Sequence, residues 1–90
     1  MKVWKSEMLA VSRAGHDKDQ LYVVLESDGT YFWLTDGKRR KLENPKKKKH
    51  IHVQVIKHLP EELLAQMQNI TLDAHVKKVL KAYQDKQTIL

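Results

Sequence analysis

Ninety residues, 41% hydrophobic and 31% charged, make one small folding unit, too apolar to be wholly disordered and too short for a second full core. The absence of cysteine excludes disulfides and thiolate metal sites and leaves the redox compartment open. The formal charge of +6 is concentrated: residues 38–50 hold eight Lys and Arg against one acid, Glu43, and the remainder is close to neutral.

In chain order, the first ten residues carry no uninterrupted apolar run of leader type, and no stretch reaches the ~18 residues that span a bilayer, so a soluble, cytoplasmic protein is expected. Trp4 is either a packed arm or an exposed anchor. Residues 8–12, Met-Leu-Ala-Val-Ser, predict a buried strand that ends near Gly15, a glycine suited to positive φ or close backbone approach. After the polar loop 16–19, residues 20–26 form a β-branched and aromatic strand closed by Asp28-Gly29. Residues 30–35 follow as a third strand, with Tyr31 and Trp33 on one face and Phe32 and Leu34 on the other. Core packing is the expected role of Tyr22, Tyr31, Phe32 and Trp33 in so small a unit, with base stacking the alternative.

Asp36-Gly37 repeats the hairpin signature, so residues 38–43 are expected to return as a charged edge strand. Asn44-Pro45 punctuates, Lys46 to Lys49 read as a loop, and residues 50–56 alternate with Ile51, Val53 and Val55 inward. Five short strands with tight turns predict a mostly β fold, an SH3-like small barrel over residues 1–58. From Leu59-Pro60 the period changes. Leu63, Met67 and Ile70, then Leu72, Val76, Val79, Leu80 and Tyr83, predict a C-terminal helical hairpin over residues 59–90, with Pro60 at the first helical position and Thr71 as N-cap of the second helix.

The segment from Met8 through Gly15 to Glu26 resembles a KOW motif. With Asp36-Gly-Lys-Arg-Arg40, Asn44-Pro-Lys-Lys-Lys-Lys-His50 and His75-Val-Lys-Lys-Val-Leu80, the chain is similar over residues 6–82 to bacterial KOW-domain RNA-binding proteins related to the fourteen-e class of archaeal and eukaryotic large-subunit ribosomal proteins. The chain departs from that pattern after the motif glycine: the group often has Arg-Asp-Lys-Gly, and here His16-Asp17-Lys18-Asp19 stands instead. The resemblance implies an SH3-like barrel and an rRNA-binding ribonucleoprotein component acting in translation.

A cationic segment on a neutral scaffold points to a polyanion, or to a merely solvated loop. Candidate RNA contacts are Arg13 and Lys18 in the first loop, Lys38, Arg39, Arg40 and Lys41 after the Asp-Gly turn, and Lys46, Lys47, Lys48, Lys49 and His50, with Gly15 as the motif glycine. Arginines offer bidentate phosphate contacts and lysines bulk attraction through counterion release. His50, His52 and His58 lack a completing first shell, so no metal and no cofactor are expected. No nucleophile sits beside a plausible base and no phosphate-cradling glycine loop occurs, so no enzyme activity is expected. Two other readings remain: a protein-interaction adaptor using the C-terminal helices, and an accessory of the transcription machinery. No membrane and no small-molecule substrate are expected as partners.

Overall fold

The structure, a computed structural model, describes residues 2–87. Met1 and the last three residues of the expected helical region lie outside the described residues.

Five strands form one antiparallel sheet: β1 (Leu9–Ser12), β2 (Leu21–Ser27), β3 (Tyr31–Thr35), β4 (Lys46–Lys49) and β5 (Val53–Ile56), in the order β4-β3-β2-β1-β5. Two helices follow, α1 (Glu61–Met67) and α2 (Asp73–Gln87). Pro60 is therefore the residue before α1, one position earlier than expected. No ladder joins β4 to β5 among the described residues, yet the sheet cannot be flat. Its two end strands would then lie about 19 Å apart at about 4.8 Å per strand. A single 3-10 turn, His50–His52, links them, and its steps rise only about 2 Å each. The sheet must curl to let that turn bridge its ends, and an irregularity in β2 between Val24 and Glu26 supplies extra bend.

The curl gives two apolar clusters. Ala10, Tyr22, Val24, Phe32 and Leu34 fill the concave side, with Met8, Val53 and Val55 packed against them. On the convex side Leu9, Leu21, Val23 and Leu25 meet Leu63, Met67, Ile70, Val76, Val79 and Leu80 from the helices. The helices thus fold back onto the sheet, and residues before and after position 58 share one core. The leading arm locks this arrangement. Trp4 and Ile70 exchange backbone hydrogen bonds at 2.8 and 3.0 Å, and the Ser6 N–H donates to the Met67 carbonyl at 2.8 Å. Trp4 is accordingly a half-buried packed arm.

Four local expectations are corrected. Residues 38–43 are not a strand, because one Asp36 carboxylate oxygen accepts the backbone N–H groups of Lys38, Arg39 and Arg40 at 2.9 to 3.0 Å and consumes donors that a ladder would need. The returning strand is instead the lysine run itself, β4, paired Tyr31 to Lys49, Phe32 to Lys48, Trp33 to Lys47 and Leu34 to Lys46. Ile51 falls in the 3-10 turn and is 81% exposed rather than inward. Leu72 directly precedes α2 and is exposed, so Thr71 lies one position too early to be the N-cap, and the ring Nδ1 of His75, in the first turn, accepts the backbone N–H groups of Thr71 and Leu72 at 3.1 and 3.2 Å.

Gly37, at φ +75° in the turn after β3, lies close against the start of α2. A Cβ there would lie 2.6 Å from the Asp73 carbonyl oxygen and 2.9 Å from Cγ of Lys77. The Asp73 carboxylate meanwhile accepts the Leu42 N–H at 2.8 Å, tying the loop between β3 and β4 to the start of α2.

Candidate nucleic-acid interface

The geometry of the basic region follows from one fact of strand structure: alternate side chains point to opposite faces. In β4 this sorts four identical residues into two pairs. Lys46 and Lys48 share the face of Leu34 and Phe32, and both reach Asp17 in the loop after β1. Lys46 Nζ lies 3.0 Å and Lys48 Nζ 2.9 Å from its carboxylate oxygens. Lys48 also donates to the Ala14 carbonyl at 2.8 Å. Lys47 and Lys49 take the opposite face and are exposed.

Asp17 is a hub. Besides the two ammoniums it accepts the hydroxyls of Ser12 at 2.9 Å and Tyr22 at 2.7 Å. Burial alone would raise its pKa, but the hydrogen bonds from Lys48, Tyr22, Lys46 and Ser12 outweigh burial and hold the carboxyl well below the usual carboxylate range. Burial and the adjacent carboxylate push the Tyr22 hydroxyl upward. Gly15, at φ +85°, turns the chain so that the loop folds over this cluster; the atoms nearest to a Cβ there would be Asp17 Oδ1 and Lys48 Nζ, both at 3.6 Å. Asp19 is also left-handed, at φ +73°, at the position where the resembled pattern carries glycine.

Above the hub lies a cleft of about 290 Å³ whose cationic lining comes from three separate elements: Lys18 from the loop after β1, Arg39 and Arg40 from the Asp36 turn, and Lys46 from β4, with His16 beside them. Asp17, Gln20, Tyr22 and Asp36 form the rest of its polar wall. Lys46 therefore faces the cleft already paired with Asp17. Lys18 and Arg39 are exposed and Arg40 half-buried, and none of the three has an ion-pair partner among the described residues.

The remaining candidates are dispersed. Arg13 is exposed and lies beside β5, hydrogen-bonded to Gln54 and 3.8 Å from Asp19. Lys38 lines a different depression with Lys77 and Lys81 of α2. Lys41 is exposed. His50 stacks on Phe32 at 3.9 Å between ring centroids, with Nε2 3.2 Å from the Tyr31 carbonyl oxygen. Tyr22 and Phe32 are core residues as expected, but Tyr31 and Trp33 belong to neither apolar cluster and stand half-buried on the outer face with Lys47.

Among the described residues no group of three or more His, Asp or Glu is placed to hold a metal ion, and no helix is long and apolar enough to cross a membrane. Sequence reasoning missed Asp17 because its partners Lys48 and Lys46 come from the far end of the sheet. The detectable signal was Ser12, Asp17 and Tyr22 at spacings of five on either side of a glycine turn.

The fold and site together describe a small α+β domain with a basic cleft lined by the loop after β1, the Asp36 turn and β4. No protein-family model matches this chain, and no curated protein matches it.

Proposed function

We propose that this chain is a non-catalytic RNA-binding protein of the KOW type, built on an SH3-like barrel and associated in the cytoplasm with ribosomal RNA of the large subunit. The barrel assignment draws support from the curl of the sheet and from the 3-10 turn between its end strands. The observation that carries the RNA reading is the cleft, where Lys18, Arg39 and Arg40 converge on a surface that Asp36 and Asp17 hold in place. Arg39 and Arg40 are fixed at their backbones by one carboxylate. Both side chains therefore start from a defined position beside the cleft, where their guanidinium groups can make bidentate phosphate contacts.

Lys41, Lys47 and Lys49 add exposed positive charge, which raises affinity without sequence preference. The adaptor alternative is weakened because the apolar stripes of both helices are already buried against β1 and β2. Sedimentation of lysate tests the proposal. The protein should travel with the large ribosomal subunit at low salt and be released as salt rises; sedimentation as a free small protein at low salt would contradict it.

A further inference from the structure

We propose that Tyr31 and Trp33 form a stacking platform for an unpaired RNA base, flanked by Lys47 and Lys49 for the adjoining phosphates. This rests on the RNA-binding reading above and adds to it a second contact surface, on the opposite face of β4 from Lys46 and Lys48.

Four observations carry the proposal. Strand alternation turns Phe32 and Leu34 into the concave core and Tyr31 and Trp33 outward, where neither joins an apolar cluster. The two rings lie 6.4 Å apart at 58°, giving adjacent, partly exposed π surfaces on one strand. Cross-strand register sets Lys47 opposite Trp33 and Lys49 opposite Tyr31. The Lys47 ammonium sits 4.2 Å from the Tyr31 centroid but 5.7 Å from that of Trp33, so the indole is the less covered ring.

A ligand matching this surface must offer flat π faces and negative charge together, as unpaired nucleotides do. Duplex RNA keeps its bases stacked and offers only phosphates and groove edges. Two acids lie beside the pair: Glu26, opposite Trp33, is paired with Lys2 at 3.3 Å, and Asp28 is engaged by the backbone N–H groups of Tyr31 and Thr30 at 2.7 and 2.8 Å. A purely structural role for the aromatic pair, cross-strand packing with a cation–π contact, would stabilise the edge of the sheet without distinguishing the two kinds of RNA.

The test uses the full chain carrying Trp4→Phe, so that Trp33 is the only indole, titrated with single-stranded oligouridine and with duplex RNA of equal length. Oligouridine should quench Trp33 emission and duplex should not. Tyr31→Leu, verified as folded by circular dichroism, should weaken oligouridine binding by roughly fivefold or more while leaving duplex affinity unchanged. Trp33→Leu, read by anisotropy of labelled RNA, should do the same. If oligouridine binds with no quenching, or both variants keep wild-type affinity, the platform is overturned and the RNA-binding reading stands. If neither RNA binds at low salt, both are overturned.

Discussion

Lys48 and Asp17 form a largely buried ion pair at 2.9 Å, their side chains 11% and 15% exposed, between two segments thirty-one residues apart. The most cationic run in the chain therefore supplies a structural post as well as a charged surface. Replacing Asp17 with Asn leaves two ammoniums facing a neutral amide. Breaking one half of such a pair costs about 3 kcal/mol, so urea unfolding of Asp17→Asn should show a stability loss of that order. A change within 0.5 kcal/mol, the usual range for surface substitutions, would mean the hub contributes little.

The same carboxylate sets the acid limb of stability. A carboxyl whose folded pKa is depressed favours folding above its unfolded value, about 4, and that contribution is lost as pH falls through the lower folded value. Wild-type stability should therefore fall more steeply below about pH 4 than that of Asp17→Asn. Asp28, held low by the backbone N–H groups of Tyr31 and Thr30, and Glu62, held low by Lys86, titrate in both proteins and drop out of the difference. Parallel acid limbs in thermal melts would contradict the assignment.

Gly37 and Gly15 both lie at positive φ but differ in the space around them. Gly15→Ala meets only ordinary contacts at 3.6 Å and should cost about 1 kcal/mol, the penalty of the left-handed backbone. Gly37→Ala adds a collision with the backbone of α2 at 2.6 Å and should cost at least about twice as much. Thermal melts of the pair should rank Gly37→Ala clearly lower.

Asp19 holds a left-handed conformation at φ +73° as an L-residue with a side chain. Asp19→Gly should raise stability by about 0.5 to 1 kcal/mol, because relief of backbone strain exceeds the extra unfolded-state entropy at such a site. Its exposed contact with Arg13, at 3.8 Å, is too weak to reverse the sign.

The alternation of β4 predicts that neighbouring lysines behave differently. Lys48→Gln should lower the melting temperature and leave the salt dependence of RNA binding unchanged. Lys49→Gln should leave the melting temperature unchanged and make the log–log salt slope shallower by about 0.7 to 0.9. Equal effects from the two substitutions would contradict the division of the run.

The elements with strong local patterns were readable from sequence. β2 and β3 announced themselves through β-branched and aromatic residues between Asp-Gly and polar turns, and the stripe of Val76, Val79 and Leu80 is buried as its spacing predicts. Four consecutive lysines carry no hydrophobic period, so nothing local distinguishes a strand from a loop. Their pairing is decided by β3 across the sheet and by Asp17 beneath. Asp36-Gly37 was legible as a turn, but the capture of three successive N–H groups, which prevents a returning strand, depends on the rotamer of one carboxylate. Of the candidate site, the arginines and Lys18 were readable by charge; their convergence in one cleft was not, since it requires the curl of the sheet.

The most direct test of the RNA-binding account is the salt dependence of affinity for structured ribosomal RNA, compared between the wild-type chain and Arg39→Ala/Arg40→Ala. The account predicts weaker binding and a log–log slope shallower by about 1.5, from 0.7 to 0.9 per lost phosphate contact, with the melting temperature unchanged. An unchanged slope, or no measurable binding by the wild-type chain at low salt, would contradict it.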